Sequence, residues 1–217
     1  TLVSGIHFLE NVNPESLGHK ALAVNLSDLA AMGANPCWCT LALTLPEVET
    51  SWLESFARGF FNLANLHNVQ LIGGDTTRGP LSITVQAIGK IKKHHSLRRN
   101  AAKPGEMIWL SGPIGSASLG LAIRQGKSEI AEPLAIEALE RPTPRVELGR
   151  ELPGLASACI DISDGLLQDL GHILSASQCG ALIQLEAIPV LPTVASYANQ
   201  MGQPDFALSA GDDYELC

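Results

Sequence analysis

The chain has 217 residues, of which 46% are hydrophobic and 17% charged, and its formal net charge is −8. This length suffices to bury the core of one large domain or of two small ones. An acidic chain with scattered lysines and arginines argues against nucleic acid or an anionic membrane surface as a partner, but bound Mg²⁺ would still admit a phosphorylated ligand. No apolar run approaches the roughly 20 residues of a membrane-spanning helix, and no signal peptide is visible.

The cysteines are scattered among apolar neighbours and are odd in number, which favours reduced thiols and a cytoplasmic protein. They are Cys37, Cys39, Cys159, Cys179 and Cys217. A single residue separates the first two, which is not the usual spacing of zinc ligands. The sequence therefore predicts no zinc site.

The first half of the chain predicts an α+β arrangement. Apolar periodicity and turn signals predict, in order, a strand over 1–8, a helix over 14–32, a strand over 36–45, a helix over 52–67, a strand over 70–72 and a strand over 81–92. Asn13 is the expected N-cap of the first helix, and Gly33 is its expected stop. Ser51 and Glu54 fit a capping box before the second helix.

The first helix carries an acid in its apolar stripe. Leu17, Ala21 and Val24 recur at helical spacing, and Asp28 takes the next position of the same stripe. The stripe predicts an apolar side chain at that position. Asp28 is therefore a candidate functional residue.

The second half alternates predicted strands and helices, which is typical of an α/β layer. Strands are predicted over 107–111, 158–162 and 181–185, and helices over 116–124, 132–139, 143–152, 166–177 and 193–201. The glycine-rich turn 112–116 matches neither the Walker nor the Rossmann pattern, and we interpret it as structural. The basic segment 90–103 is interpreted as a largely solvated linker. We therefore expect domains over 1–95 and 104–217.

The stretch from Leu71 to Gly79 admits two interpretations. A short apolar run ends at Gly73 and Gly74, and Asp75 follows directly. Paired glycines let a ligand approach the backbone, and the carboxylate could hold a hard cation such as Mg²⁺. A plain turn between strands, in which the aspartate bonds its own backbone, explains the same residues equally well.

Further acids lie where regular structure ends or where the apolar pattern breaks. Asp161 lies between two isoleucines on a predicted buried strand, and Asp164 follows where a helix begins. Ser163 or Asp164 could serve as an N-cap, but that role does not explain Asp161, since an unpaired buried carboxylate is costly. The other acids in such settings are Asp28, Asp75, Asp212 and Asp213. Oxygen donors without a His or Cys cluster favour Mg²⁺, Mn²⁺ or Ca²⁺, so the pattern indicates an enzyme that handles Mg²⁺ and phosphate.

Four strings, in their order and spacing, make the chain resemble the thiamine-monophosphate kinase family of the aminoimidazole ribonucleotide synthetase-like superfamily. They are Val24–Ala34, Leu71–Gly79, Asp161–Leu166 and Gly211–Leu216. The resemblance covers essentially the whole chain. It implies two domains: an N-terminal α+β domain with a mixed sheet through which a homodimer forms, and a C-terminal α/β domain.

The same resemblance implies transfer of the ATP γ-phosphoryl group to thiamine monophosphate in the cytoplasm. Its implied Mg²⁺ ligands are Asp28, Asp75, Asp161 and Asp164. Its implied ATP contacts are Gly74, Asp75, Arg99 and Ser163, and its implied substrate contacts are His7 and Asp212. No residue is expected to act as a nucleophile or a base, because the acceptor is already an ionised phosphate. We expect direct in-line transfer, with several Mg²⁺ ions reducing the repulsion between the two phosphates.

The chain departs from the family in three places. A Gly-Asp-Asp motif and a further metal-binding aspartate, both N-terminal in the family, are absent here, as is the last part of the C-terminal domain. We therefore expect the chain to be trimmed at both ends. Asp212 stands where glutamate is more common, which keeps the charge and shortens the reach.

Three alternatives stay open. The first is another ATP-dependent enzyme of the superfamily that acts on a different small molecule. The second is a non-catalytic nucleotide-binding subunit. The third is a metal-dependent phosphatase.

Overall fold

A computed structural model describes all residues from 1 to 217, which form eight α-helices and a single four-stranded sheet. The strands are β1 (Leu2–Val3), β2 (Asn35–Leu45), β3 (Gln70–Arg78) and β4 (Ser82–Lys90). The helices are α1 (Pro14–Ala31), α2 (Thr50–Leu66), α3 (Ser116–Arg124), α4 (Pro133–Glu140), α5 (Val146–Glu151), α6 (Leu166–Ser177), α7 (Pro192–Gln200) and α8 (Phe206–Ser209). None of these helices combines the length and the apolar composition that crossing a membrane requires.

The sheet is mixed and lies in the first half of the chain, as expected. Its strand order is β1-β4-β2-β3, with β2 parallel to β3 and antiparallel to β4. The largest core packs α1 and α2 against this sheet, with Leu22, Leu26, Phe60, Cys39 and Ile83 among its buried members. Burial of these apolar side chains is the main favourable contribution to folding here.

The predicted limits of α1 are confirmed. The Asn13 side chain accepts the backbone N–H of Glu15 at 2.8 Å and that of Ser16 at 3.3 Å, as an N-cap does. Gly33 follows the helix with φ of 70°, a conformation that glycine adopts without a steric penalty. Both ends of this helix are therefore set by local signals.

Two other predicted boundaries in the first half are wrong. The strand expected over 1–8 is only Leu2–Val3, because a turn at Gly5 lets the His7 N–H donate to the Val3 carbonyl at 2.9 Å. The capping box also fails, since Ser51 Oγ donates to Glu49 Oε1 at 2.6 Å and caps no backbone N–H of α2.

The expected Gly73-Gly74-Asp75 turn is instead the middle of β3. This strand continues to Arg78 beside β2, with a register shift opposite Cys39 and Thr40. A Cβ on Gly74 would lie 1.8 Å from the Leu41 carbonyl oxygen, and the φ of Gly74 is 150°. The close approach of β2 therefore requires this glycine, whereas nothing lies within 4 Å of a Cβ built on Gly73.

The second half contains the main predicted helices but no regular strands. Its only antiparallel pairing joins 160–162 to 214–217, through backbone bonds such as Ile160 N–H to the Cys217 carbonyl at 2.9 Å. The segments 107–110 and 181–183 make no backbone–backbone hydrogen bonds, so neither has a neighbour with which to form a ladder. The α+β class is confirmed, but the three strands predicted over 107–111, 158–162 and 181–185 are not formed as such.

The two halves share one core. Val146, Cys159 and Leu216 of the second half belong to the same buried cluster as α1 and α2. The basic segment between the halves is partly packed as well, since buried Leu97 donates its N–H to the Met32 carbonyl at 3.1 Å. The basic side chains of 90–103 are themselves exposed, as the solvated interpretation expects, and the domain limits at 95 and 104 stay a prediction.

Candidate active site

The two halves meet at a hydrogen-bonded carboxylate. Ser27 on α1 has no exposed surface, and its Oγ donates to Asp161 Oδ2 at 2.7 Å. Asp161 is only 5% exposed and lies within the segment that pairs with 214–217. A buried carboxylate needs such a donor, because an unpaired one loses its hydration without compensation.

Asp28 lies close enough to Asp161 for its charge to influence the ionisation of Asp161. Burial raises the pKa of Asp161 to about 6, the Ser27 hydrogen bond opposes this shift, and the charge of Asp28 adds to it. Partial burial also raises the pKa of Asp28, and the guanidinium of Arg99 opposes that shift. Burial therefore disfavours the charged form of both carboxylates. A divalent cation bound by their oxygens would stabilise that charged form.

The other two predicted metal ligands are more exposed. Asp75 lies on the exposed strand β3, and its Oδ1 accepts the N–H of Thr76 at 2.9 Å. Asp164 accepts from Gln168 Nε2 at 3.1 Å. No group of three or more Asp, Glu, His or Cys side chains is gathered around one point. Asp28 and Asp161 are thus brought together, while the roles of Asp75 and Asp164 as ligands stay predictions.

Asp169 is a site residue that the sequence reasoning missed. It is 3% exposed, and its Oδ2 accepts the backbone N–H groups of Ser163 and Asp164, both at 2.9 Å. It therefore fixes the loop that follows Asp161. The available signal was its position beside Leu166 and Leu170 on the buried stripe of α6, where an apolar residue is expected.

A cavity of about 560 Å³ opens beside the N-terminal part of α1. His7 and Asp212, the two predicted substrate contacts, both line it. Lys20, Arg124 and Tyr214 add polar groups to its wall. Its apolar wall includes Leu2, Phe8, Leu17, Leu121 and Leu139. A concave site with apolar walls and a few polar groups is the usual form of a small-molecule pocket.

Tyr214 connects the cavity with the acid pair. Its hydroxyl donates to Asp212 Oδ1 at 2.9 Å. Burial raises the pKa of this tyrosine, and the nearby carboxylates of Asp212, Asp161 and Asp28 raise it further. The charges of these three carboxylates therefore act on a phenol that lines the cavity.

His7 is presented to the cavity in one tautomer. Its Nδ1 accepts the backbone N–H of Val3 at 3.1 Å. The proton of a neutral imidazole then resides on Nε2. His7 is exposed and can donate that hydrogen bond to a ligand.

The two acids that flank Tyr214 on either side have structural partners. Asp213 accepts the N–H groups of Gly115 at 2.7 Å and Ala117 at 3.3 Å, and so caps α3. Glu215 is paired with Arg145, whose Nε lies 2.7 Å from Oε2. The glycine-rich turn 112–116 thus binds a carboxylate of its own chain, which supports its structural interpretation.

The predicted ATP contacts lie in different settings. Gly74 packs against the backbone of Leu41, Arg99 lies near Asp28, and the backbone N–H of Ser163 is bound by Asp169. Only Arg99 has a charge that would attract a nucleotide phosphate. All four ATP contacts, Asp75 included, stay predictions.

Family models match both halves of the chain. The model described as AIR synthase related protein, N-terminal domain, matches residues 1–91. The model described as AIR synthase related protein, C-terminal domain, matches residues 103–204. Together they cover most of the sequence.

Several similar proteins are thiamine-monophosphate kinases. Thiamine-monophosphate kinase of Salmonella typhimurium strain LT2 is 50% identical over all of this chain and 68% of its own length. The crystal structure of thiamine-monophosphate kinase from Stenotrophomonas maltophilia K279a is 47% identical, with a TM-score of 0.93 over all of this chain and 71% of that one. A structure described as AaThiL complexed with AMPPCP and TMP is 32% identical, with a TM-score of 0.90 over 98% of this chain and 70% of that one. This chain therefore belongs to the AIR synthase related family and, within it, to the thiamine-monophosphate kinases.

Proposed function

We propose that the protein transfers the γ-phosphoryl group of ATP to thiamine monophosphate, which yields thiamine diphosphate and ADP. The observation that carries this proposal is the ligand-sized cavity, whose wall includes Tyr214, a phenol on which the charges of Asp28 and Asp161 act. The 50% identity to a thiamine-monophosphate kinase supports it. So does the similar structure that is described with AMPPCP and TMP.

The cavity suits the organic part of the acceptor. Its leucines and Phe8 offer apolar contact to aromatic rings, while His7 and Asp212 offer a hydrogen-bond donor and an acceptor. The charges of Asp28 and Asp161 act on Tyr214, which lines the same cavity. We infer that the acceptor phosphate points from the cavity toward Asp28 and Asp161, where it meets the nucleotide.

The residues of the acid pair fit a divalent cation, since both offer carboxylate oxygens and burial raises the pKa of each. Asp28 and Asp161, with Asp75 and Asp164, would hold Mg²⁺, which when bound offsets the repulsion between donor and acceptor phosphates. Ser27 orients the Asp161 carboxylate, and Asp169 fixes the loop with Ser163 and Asp164. Arg99 adds positive charge beside Asp28 for the nucleotide phosphates.

The transfer needs no protein nucleophile and no general base. The acceptor oxygen belongs to a phosphate that is already ionised at neutral pH, so the chain has to position two anions and not to remove a proton. Direct in-line attack inverts the configuration at the γ-phosphorus. Retention with a chiral γ-phosphorus would instead require a phospho-enzyme and would exclude direct transfer.

We also propose that the protein is a cytoplasmic homodimer that pairs through β3. This strand is the free edge of the sheet, and all nine of its residues are exposed. An exposed strand edge presents unpaired backbone groups to another chain. The five cysteines are all free, as expected for a reducing compartment.

A substrate panel tests the proposed activity. The protein is incubated with ATP, Mg²⁺ and either thiamine monophosphate, thiamine or an aminoimidazole precursor, and the products are separated. The proposal expects thiamine diphosphate and ADP in equal amounts from thiamine monophosphate alone. Turnover of an aminoimidazole precursor would assign another activity of the superfamily, and ATP binding without turnover would indicate a non-catalytic subunit.

A further inference from the structure

Lys20 is a buried cation that the proposed chemistry does not use. It lies on α1 between Leu17 and Ala21, and only 4% of it is exposed. Lysines are almost never buried to this degree unless they are paired. Its partner is Asp212, whose Oδ2 lies 3.0 Å from Lys20 Nζ although 192 residues separate the two in the chain.

Asp212 is held from two directions. Lys20 donates to one carboxylate oxygen, and the Tyr214 hydroxyl donates to the other at 2.9 Å. Asp212 and Tyr214 both have positive φ, 67° and 54°, which is uncommon for residues other than glycine. Costly backbone conformations of this kind persist where the surrounding structure fixes them, often at ligand sites.

The Asp212 side chain is more exposed than the Lys20 side chain, and this difference indicates which of the two can contact a ligand. The Asp212 side chain is 38% exposed and lines the cavity, whereas the Lys20 side chain is 5% exposed. A carboxylate has about four lone-pair sites, of which Lys20 and Tyr214 use two. Asp212 therefore keeps acceptor capacity for a ligand, whereas the Lys20 side chain, although it forms part of the cavity wall, is almost fully buried and its ammonium is paired with Asp212.

We propose that Lys20 is a positioning residue, which fixes the Asp212 carboxylate so that it accepts a hydrogen bond from the acceptor substrate. This inference rests on the proposed function and adds a residue to the acceptor site. The ammonium also balances the charge of the carboxylate, so the pair recognises a hydrogen-bond donor on the substrate more than a net positive charge.

A double-mutant cycle tests this role in the full chain. The variants are Lys20→Met, Asp212→Asn and the two combined, with KM measured separately for thiamine monophosphate and for ATP. Each single substitution is expected to raise KM for thiamine monophosphate by about 10- to 100-fold, as when a hydrogen bond to a charged group is lost. KM for ATP should change by less than about twofold, because the pair is proposed to act on the acceptor substrate alone. A general structural defect would instead raise KM for both substrates.

The combined variant decides between the two ways in which Lys20 could act. If Lys20 acts through Asp212, KM for thiamine monophosphate in the double variant is no higher than in the more impaired of the two single variants. Additive effects would mean that Lys20 contacts the substrate itself and would overturn the proposal, as would an unchanged KM in Lys20→Met. Arg58→Met is the matched control, since Arg58 is 3.7 Å from Glu15 and lies outside the cavity.

Two further measurements keep the outcomes distinct. If Lys20→Met does not fold, Lys20→Gln takes its place, because glutamine keeps a donor without the charge. Calorimetric titration with thiamine monophosphate then reports binding without turnover. A wild-type protein that forms no thiamine diphosphate contradicts the proposed function, whereas an active one with unchanged affinity in the Lys20 variant contradicts only the positioning role.

Discussion

Ser27 and Asp161, 134 residues apart in the chain, are joined by a hydrogen bond of 2.7 Å between Oγ and Oδ2. Neither residue is appreciably exposed to solvent. The bond connects α1 in the first half with the segment before α6 in the second. It therefore contributes both to the stability of the junction and to the orientation of a candidate metal ligand.

Replacement of Ser27 by alanine tests that link. Ser27→Ala leaves the buried Asp161 oxygen without this donor, so we expect a loss of about 1–3 kcal/mol in the free energy of unfolding. Urea denaturation followed by circular dichroism measures it. Ser51→Ala is the control, because Ser51 is exposed and should change stability by less than about 0.5 kcal/mol. Equal losses in the two variants would show that the hydrogen bond to Asp161 contributes no measurable stability.

The paired glycines of β3 give a matched comparison. Gly74→Ala places a Cβ 1.8 Å from the Leu41 oxygen, so we expect a loss of about 3 kcal/mol or more through steric overlap and backbone strain. Gly73→Ala meets nothing within 4 Å and should change stability by less than about 1 kcal/mol. The free energies of unfolding of the two variants, measured in parallel, check this. Similar values would contradict the packing of β3 against β2.

The raised pKa of Asp213 should make the free energy of unfolding depend on pH. Burial raises its pKa from the ordinary 3.8 to about 7 in the folded state, although the N–H groups of Gly115 and Ala117 oppose the shift. Between these two values the folded chain retains a proton that the unfolded chain has released, so this group's contribution to stability falls as the pH rises. Asp213→Asn removes the titration. Wild type should therefore lose stability relative to Asp213→Asn between about pH 4 and pH 7.

Urea denaturation of wild type and of Asp213→Asn, repeated across that pH range, gives the free energy of unfolding of each protein and checks this dependence. The difference between their unfolding free energies should change through the window and become constant above it. Two parallel profiles would show that Asp213 does not hold a proton in the folded state and that its pKa is not raised.

The dimer proposal predicts that a charge on β3 separates the subunits. Ile72 is 57% exposed on this edge strand, and Ile72→Glu would bury a carboxylate in the proposed interface. We expect sedimentation equilibrium to give a dimer for wild type and a monomer for this variant. Val48→Glu, a similar change at an exposed residue outside the sheet, should remain dimeric. A dimeric Ile72→Glu would place the interface elsewhere.

Local signals in the sequence predicted part of this fold correctly. Asn13 and Gly33 set the ends of α1, because capping depends on neighbouring residues alone. The glycines of β3 could not be interpreted in the same way. Gly74 is required by the backbone of Leu41 in another strand, and no local pattern distinguishes that contact from a turn.

Long-range contacts explain what the sequence left open at the site. The placement of Asp28 in an apolar stripe correctly indicated an unusual carboxylate, and it lies near Asp161. Lys20 was missed because its partner Asp212 is distant in the chain, so its burial could not be foreseen. The predicted strand over 107–111 has apolar residues that favour a sheet, but Trp109 is 77% exposed and pairs with no neighbouring strand.

The most direct test is the rate at which wild type and Asp161→Asn form thiamine diphosphate from thiamine monophosphate and ATP in the presence of Mg²⁺. Asparagine keeps the shape of Asp161 and can still bond Ser27, but it removes the charge that the acid pair provides. We expect equal amounts of thiamine diphosphate and ADP from wild type, and a rate of thiamine diphosphate formation lower by about 100-fold or more in the variant. Phosphate release without thiamine diphosphate from wild type, or an undiminished rate in Asp161→Asn, would contradict it.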